Sequence, residues 1–204
     1  MRKTAAIRKA EIVSVVLMLA DRIGPDRVTT NAVANTIGIT QGALFRHFPS
    51  KSALWMAVAE HISSQLGDAW VNAASSCDDP RDRLSALIIA QLVQISTMPA
   101  LPMLLFSREL NVENAELRAV FQERLATFSE MLQHEVKSAQ EAGVFRRDIR
   151  AADFTILLTS LVQGLAIRWS LGARNFPLQA EGERLLGFYL DLLNEKGSKT
   201  CAAH

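Results

Sequence analysis

An all-α fold of about nine helices is what this 204-residue sequence predicts, and three observations predict it. Apolar residues recur at helical spacing along nearly the whole chain, and no strand-like alternation persists. Glycines, prolines and short capping residues fall between the periodic segments, where helices stop and start. A hydrophobic content of 49% with a mean hydropathy of +0.12 supports a substantial core.

Ile7, Ile12, Val15, Val16, Leu19 and Ile23 mark a first helix that Gly24-Pro25 ends. Val33, Ala34 and Ile37 form the apolar face of a second, which runs into Gly38. A third covers about Gln41 to His47 and stops before Pro49, because the residue preceding a proline is pushed out of the α region. Ser50 caps a long fourth helix from Lys51, with Leu54, Val58, Ile62, Leu66 and Trp70 at helical spacing. Asp79-Pro80 opens a fifth that carries Leu84, Leu87, Ile88, Leu92 and Ile95. Thr97 to Pro102 breaks it and leaves a short sixth from Met103 to Arg108. The seventh spans about Asn114 to Ala142, closed by Gly143, with Leu117, Phe121, Leu125, Phe128, Leu132 and Val136 inward. Asp148 caps an eighth, Ala151 to Leu171, closed by Gly172; the ninth covers about Leu178 to Asn194, and Gly197 to His204 form a frayed tail.

The densest constraint lies between Thr29 and Leu54. Gly38 suits the left-handed residue that ends a helix, and Thr40 suits the N-cap of the next. Ala34, four residues before the glycine, lets two helices cross closely, while Ile37, Ile39 and Leu44 supply apolar area between them. A helix, a tight turn and a second short helix make the motif that enters a DNA major groove. Gln41, Gly42, Ala43, Phe45, Arg46 and His47 occupy positions that the packing residues Leu44 and Phe48 leave free. Lys51, at a helix start with free N–H groups, suits a phosphate.

The run Thr29-Thr30, Val33-Ala34, Ile37-Gly38-Ile39-Thr40, Gly42, Leu44-Phe45, His47-Phe48, Lys51 and Leu54 resembles the DNA-binding signature of the TetR/AcrR-type transcriptional regulators. The resemblance implies a helix-turn-helix domain over residues 1–50 and a helical ligand-binding and dimerisation domain over 51–204. It also implies a homodimer on a palindromic double-stranded DNA operator, acting most often as a repressor. In that scheme Gln41 and Arg46 meet base edges, Ala43 a thymine methyl, and Thr30, Thr40, His47 and Lys51 phosphates, with Arg2 and Lys3 as a flexible arm. Phe45 stands where the family usually has tyrosine, so a phenolic contact to phosphate is missing. Thr40 replaces the commoner serine and keeps the cap.

Charge is distributed accordingly. Residues 1–54 hold eight Lys/Arg against three acidic residues, a balance of +5, whereas the remainder carries −4, with fourteen basic and eighteen acidic residues. A basic head on an acidic body fits a phosphate-binding domain joined to one that does not bind phosphate. The longest apolar run, Ile12 to Ala20, falls far short of a bilayer span, so no membrane association and a cytoplasmic location are expected. Cys77 and Cys201 are the only cysteines, and they suggest neither zinc nor a disulfide framework.

Phe154, Leu157, Leu158, Leu161, Val162, Leu165 and Trp169, with Leu185, Leu186, Phe188, Tyr189, Leu192 and Leu193, occupy more than one face of the last two helices. One face buries in the body, and the other suits a symmetry mate in a four-helix interface. Gln91, Met98, Met103, Phe106, Phe121, Phe128, Gln163 and Trp169, with Gln94, lie on the helices that enclose an effector pocket in the family resembled. They predict a small apolar or amphipathic ligand; no cofactor or metal is expected. His61, His134 and Cys77 form no nucleophile motif, and Glu130 with His134 is an ordinary i, i+4 pair, so an enzyme is not expected. The competing reading is a helix-turn-helix DNA-binding adaptor governed by a protein partner, or by no ligand.

Overall fold

Helix α1 (Ala5–Ile23) starts where the Thr4 hydroxyl accepts from the Ile7 N–H and stops at Gly24, which leads into a 3-10 turn, Pro25–Arg27. The computed structural model describes residues 4–107, 110, 112 and 114–194. After the turn come α2 (Thr30–Ile37), α3 (Gln41–His47), α4 (Lys51–Ala74), α5 (Pro80–Thr97), α6 (Ala100–Phe106), α7 (Ala115–Glu141), α8 (Ala151–Leu171) and α9 (Leu178–Leu193). Among the described residues, the only β pairing is an isolated bridge between Phe145 and Asn194. The Arg2–Lys3 arm, the Arg108 end of the sixth helix, Cys201 and the tail lie outside the described residues.

The chain divides into two compact units. One comprises Met1–Asp68 and Gln94–Leu125, the other Ala69–Val93 and Ala126–His204.

In the first unit α1 is the platform, with Ile12, Val13, Val16, Leu19 and Ala20 buried. Helices α2 and α6 and the 3-10 turn all pack on it. Ile7 and Ile23, expected inward, are exposed near its two ends. Helix α6 begins at Ala100, three residues before the sequence reading placed it. Pro102 breaks nothing there, because it sits in the first turn, where backbone N–H groups have no intrahelical acceptor to lose. The Ser107 hydroxyl, 2.6 Å from an Asp26 carboxylate oxygen, ties the end of α6 to the 3-10 turn. Leu125, also expected inward, is exposed at the lip of a cleft.

In the second unit α8 and α9 pack on each other, and Leu158, Val162, Leu165, Leu186, Leu190 and Leu193 are buried. Trp70 stacks on Phe128 with 5.0 Å between ring centroids and donates its indole N–H to Gln91 Oε1 at 2.9 Å. Arg83 pairs with the buried Glu135 at 2.9 Å and also donates to the backbone carbonyl of Asp78. Asp79 caps α5 as expected, its carboxylate accepting from the Arg81 and Asp82 N–H groups. Asp148 does not cap α8. It is held by Arg146, whose guanidinium hydrogen bond lowers the Asp148 pKa from its ordinary value, and the cap position falls to Arg150 without a side-chain bond. Asp153 supplies the favourable negative charge in the first turn instead.

Among the described residues, α8 is long and apolar enough by itself to cross a bilayer, which a search for uninterrupted apolar runs overlooks because Thr155, Thr159 and Gln163 intervene. Phe154, Leu158, Val162, Leu165 and Trp169 make one of its faces core.

Helix α9 approaches closely at Gly182, where an added Cβ would fall 2.1 Å from Leu92 Cδ1. Leu92 is fully buried, so it must repack among core neighbours to make space. Gly182→Ala is therefore expected to destabilise the protein by about 1–3 kcal/mol through overpacking, despite the better helix propensity of alanine. Urea unfolding of the two proteins measures the difference.

Candidate nucleic-acid interface

Each end of the helix-turn-helix is fixed by a local bond. The Thr29 hydroxyl accepts from the Ala32 N–H at 3.1 Å and caps α2. Gly38 ends α2 in the left-handed region (φ 76°, ψ 36°), and the Ile39 N–H returns to the Ala34 carbonyl at 3.0 Å. Thr40 caps α3 by accepting from the Ala43 N–H at 3.1 Å, as its place in the sequence predicts. Ser50 does the same for α4 through the Ala53 N–H at 3.0 Å.

Packing then sets the angle of α3. Leu44 is fully buried and Phe48 nearly so, over the equally buried Val33 and Ala34 of α2. Lys9, from α1, lies 5.7 Å over the Phe48 ring.

With Leu44 and Phe48 turned inward, Gln41, Gly42, Phe45 and Arg46 are exposed, and Ala43 and His47 are half-buried. Phe45 is 38% exposed, so its ring is shared between packing and solvent. Lys51 is exposed in the first turn of α4, and Thr40 stands at the start of α3. A Cβ on Gly42 would meet nothing within 4 Å, so no contact inside the protein calls for a glycine there.

One bond was not foreseen. Gln41 Nε2 donates to Thr30 Oγ1 at 2.8 Å, joining the first turns of α2 and α3. Thr30 is thus not the cap of α2, a role that belongs to Thr29. The hint in the sequence was two polar residues, each placed one position after a cap, but a side-chain bond across a turn is a tertiary fact that spacing alone does not give.

The residues expected around an effector separate. Met98, Met103, Phe106 and Phe121 belong to the first unit. Of these, Phe106 and Phe121 line a cleft of about 360 Å³ with Leu105, Val112, Arg118 and Leu125. Met98 and Met103 are half-buried away from that lining. Gln91, Phe128, Gln163 and Trp169 belong to the second unit, where Gln91 already accepts from Trp70, Phe128 stacks on the same indole, Trp169 is buried, and Gln163 is exposed on α8. Arg118 was absent from the sequence reading, and Leu125 was read there as a core residue of the seventh helix rather than as part of an effector site.

Family models agree with this architecture. One described as bacterial regulatory proteins, tetR family, matches residues 12–58, and one described as BetI-type transcriptional repressor, C-terminal, matches residues 80–194. The chain belongs to the TetR family of transcriptional regulators.

Individual proteins are similar to it over most of its length. The nucleoid occlusion factor SlmA of Marinobacter nauticus is 29% identical over 143 residues, which cover 70% of this chain and 71% of that protein. Among solved structures, a putative transcriptional regulator from Saccharomonospora viridis in complex with choline superimposes with a TM-score of 0.81 at 20% identity, over 94% of this chain and 100% of that one. The ketosteroid transcriptional regulator KstR2 of Mycobacterium tuberculosis gives a TM-score of 0.79 at 19% identity, over 93% and 96%. The helix-turn-helix of this TetR-family protein is accordingly a DNA-binding module of transcription regulation.

Local bonds of this kind have measurable worth. Thr40→Ala is expected to cost about 1 kcal/mol by removing the cap, and Gly38→Ala about 1–2 kcal/mol by forcing a Cβ into the left-handed region. Because an added Cβ at residue 38 would touch nothing, the second cost is conformational and Gly38→Asn should recover part of it in the same denaturation assay.

Proposed function

We propose that this TetR-family regulator binds a palindromic operator as a homodimer, represses transcription from it, and is released by a small apolar or amphipathic molecule. The observation that carries the reading is the recognition helix itself. Leu44 anchors α3 from beneath, while Gln41, Gly42, Phe45 and Arg46 stand free on its outer side. Gln41 and Arg46 are the base-reading side chains in this proposal, and Ala43 meets a thymine methyl. Thr30, Thr40, His47 and Lys51 hold phosphates, and Gly42 and Phe45 lie against the DNA backbone. The unforced glycine at position 42 supports close approach of a duplex, since glycine in a helix otherwise only costs stability.

A second copy of the chain is supported by apolar surface left over in the second unit. Ile156, Leu157, Ile167 and Leu171 of α8 and Phe188 and Leu192 of α9 are exposed, Leu171 at 84% and Phe188 at 59%. Two such helix pairs related by a two-fold axis form a four-helix interface. Repression is favoured by the BetI-type match over residues 80–194. For the effector, the cleft beside α6 and α7 is the supporting feature. It is lined by Phe106, Phe121, Leu105, Val112 and Leu125, and Ser107 in its wall is bonded to Asp26 in the turn before α2. A ligand that displaced this wall would disturb the recognition motif through that bond.

A second reading, a DNA-bound adaptor that recruits a protein partner, is favoured by the likeness to the nucleoid occlusion factor SlmA. The two separate on one experiment: operator release by a compound supports the repressor, and retention of DNA under a broad compound screen supports the adaptor.

Selection from a random DNA pool is expected to return an inverted repeat, with half-sites about 34 Å apart if they occupy adjacent turns. A non-repeating consensus, or none, would remove the proposal. Gly42→Ala is expected to stabilise the protein by about 0.5–1 kcal/mol in urea yet weaken operator binding, a split that simple misfolding does not produce. Lys51→Ala should weaken binding to all sequences alike and lower the slope of log K against log salt by about 1. In sedimentation, Phe188→Asp combined with Leu157→Asp should shift the protein from dimer to monomer at micromolar concentration.

A further inference from the structure

We infer that the cleft beside α6 and α7 takes an amphipathic anion, a carboxylate on an apolar body, with its charged head at Arg118 and its body running along α7 toward Leu125. This rests on the proposal that the cleft is the effector site.

Arg118, Phe121, Gln122 and Leu125 all line the cleft from α7, at positions i, i+3, i+4 and i+7, so they share one face of that helix. Arg118 stands at one end of the set and Leu125 at the other, about 10 Å away along the axis. Leu105, Phe106 and Val112 add apolar lining, and the volume of about 360 Å³ lies toward the lower end of the range for small-molecule sites. Among the described residues of the lining, Arg118 carries the one formal charge. The wall therefore has a cationic end and an apolar end.

The charge at Arg118 is not neutralised from within the described residues. Asn114, Ala115, Phe121 and Gln122, its neighbours one turn away in either direction, include no acid, so no i, i+3 or i, i+4 pair forms. Glu116, the acid in the first turn of α7, is not in the lining. Asp26 is not in it either, and its carboxylate accepts from the Ser107 hydroxyl, whose one proton is thereby spent. The other described arginines beyond α4 are engaged by carboxylates, by backbone carbonyls or over aromatic rings.

A guanidinium fork matches a carboxylate with two parallel hydrogen bonds. Arg118 also closes the first turn of α7, where the helix dipole favours negative charge and opposes an unpaired cation. A quaternary ammonium head would meet like charge there, and a neutral head would forgo the ion pair. Because Arg118 is exposed, water screens the interaction and the preference is modest.

Calorimetric titration of the full-length protein with octanoate, 1-octanol and octyltrimethylammonium, each below its micellar concentration, tests the sign of the charge. Octanoate should bind about tenfold more tightly than octanol, and the ammonium more weakly than either. Added salt should weaken octanoate binding but not octanol binding. Arg118→Gln should lower octanoate to the level of octanol while leaving octanol unchanged, a split that damage to the fold does not produce. Arg118→Lys keeps the charge without the fork and should fall between the two. Octanoate should bind more tightly than hexanoate, and Leu125→Ala should narrow that difference, because the far end of the chain lies there.

Equal affinity for octanoate and octanol, tighter binding of the ammonium, no binding of octanoate, or an Arg118→Gln profile identical to the wild type would each overturn the inference. Operator release by a non-anionic compound would then leave the effector reading intact. Conversely, Arg118-dependent binding of octanoate that leaves operator occupancy unchanged would sustain the anion site and remove the effector reading of the cleft.

Discussion

The buried face of α1 is the constraint on which the first unit depends. Ile12, Val13, Val16, Leu19 and Ala20 present one apolar strip, and α2, the 3-10 turn and α6 all rest on it. Each large side chain fully removed from water there contributes about 1.5–3 kcal/mol, far more than any single cap or exposed hydrogen bond in the recognition motif. The motif is thus held from behind by non-directional burial and aimed in front by directional bonds. Such a division leaves the outer side of α3 with almost no structural duty, and that is the condition for side chains there to be chosen for DNA. Gly42 illustrates it: a residue whose type internal packing does not require sits on the most constrained stretch of the chain.

How much of this was legible in the sequence depends on whether the deciding interaction is local. The left-handed turn at Gly38 and the caps at Thr40, Ser50 and Asp79 act within three or four residues, and all four stand where the sequence places them. The buried periodicity of α5 is equally readable, because an apolar stripe and a helix share one repeat. Where the deciding partner is distant or competes, the reading slips. Asp148 has the composition of a cap but is captured by Arg146 two residues away, and a guanidinium outbids a pair of backbone N–H groups. Pro102 looks like a breaker, yet a proline in the first turn of a helix removes no bond. Leu125 and Ile7 have the right period and the wrong surroundings, since periodicity names a face without saying how far along the helix its cover extends.

For the site, the same rule divides α3 from the effector residues. Which side of α3 faces out follows from two residues, Leu44 and Phe48, and the sequence contains both. The effector residues were chosen by type and approximate location, and type is a poor guide when aromatic and methionine side chains serve the core equally well. Trp70, Phe128 and Gln91 show the difficulty. The three are joined by a ring stack and a buried hydrogen bond, which satisfies the indole N–H and the glutamine oxygen internally and gives the cluster a structural purpose. Phe106 differs from them by being more than half exposed at the rim of a cleft, with no comparable ring stack among the described residues. Exposure of a large apolar side chain beside a concave surface is informative in a way that burial is not.

A related argument applies to the choice between polar groups that are free and polar groups that are engaged. Arg46 and Lys51 are exposed and form no ion pair with the described residues, so a phosphate or base edge would displace only water from them. Gln41 is different, because one of its two amide N–H groups already donates to Thr30 Oγ1 at 2.8 Å. Pre-engagement of this kind lowers the entropy lost when the side chain is ordered on a partner, since the rotamer is already restricted, and leaves the second N–H and the carbonyl oxygen for that partner. Unengaged cations at Arg46 and Lys51 thus stand near an engaged amide at Gln41, which differs from them by a single hydrogen bond between the first turns of α2 and α3.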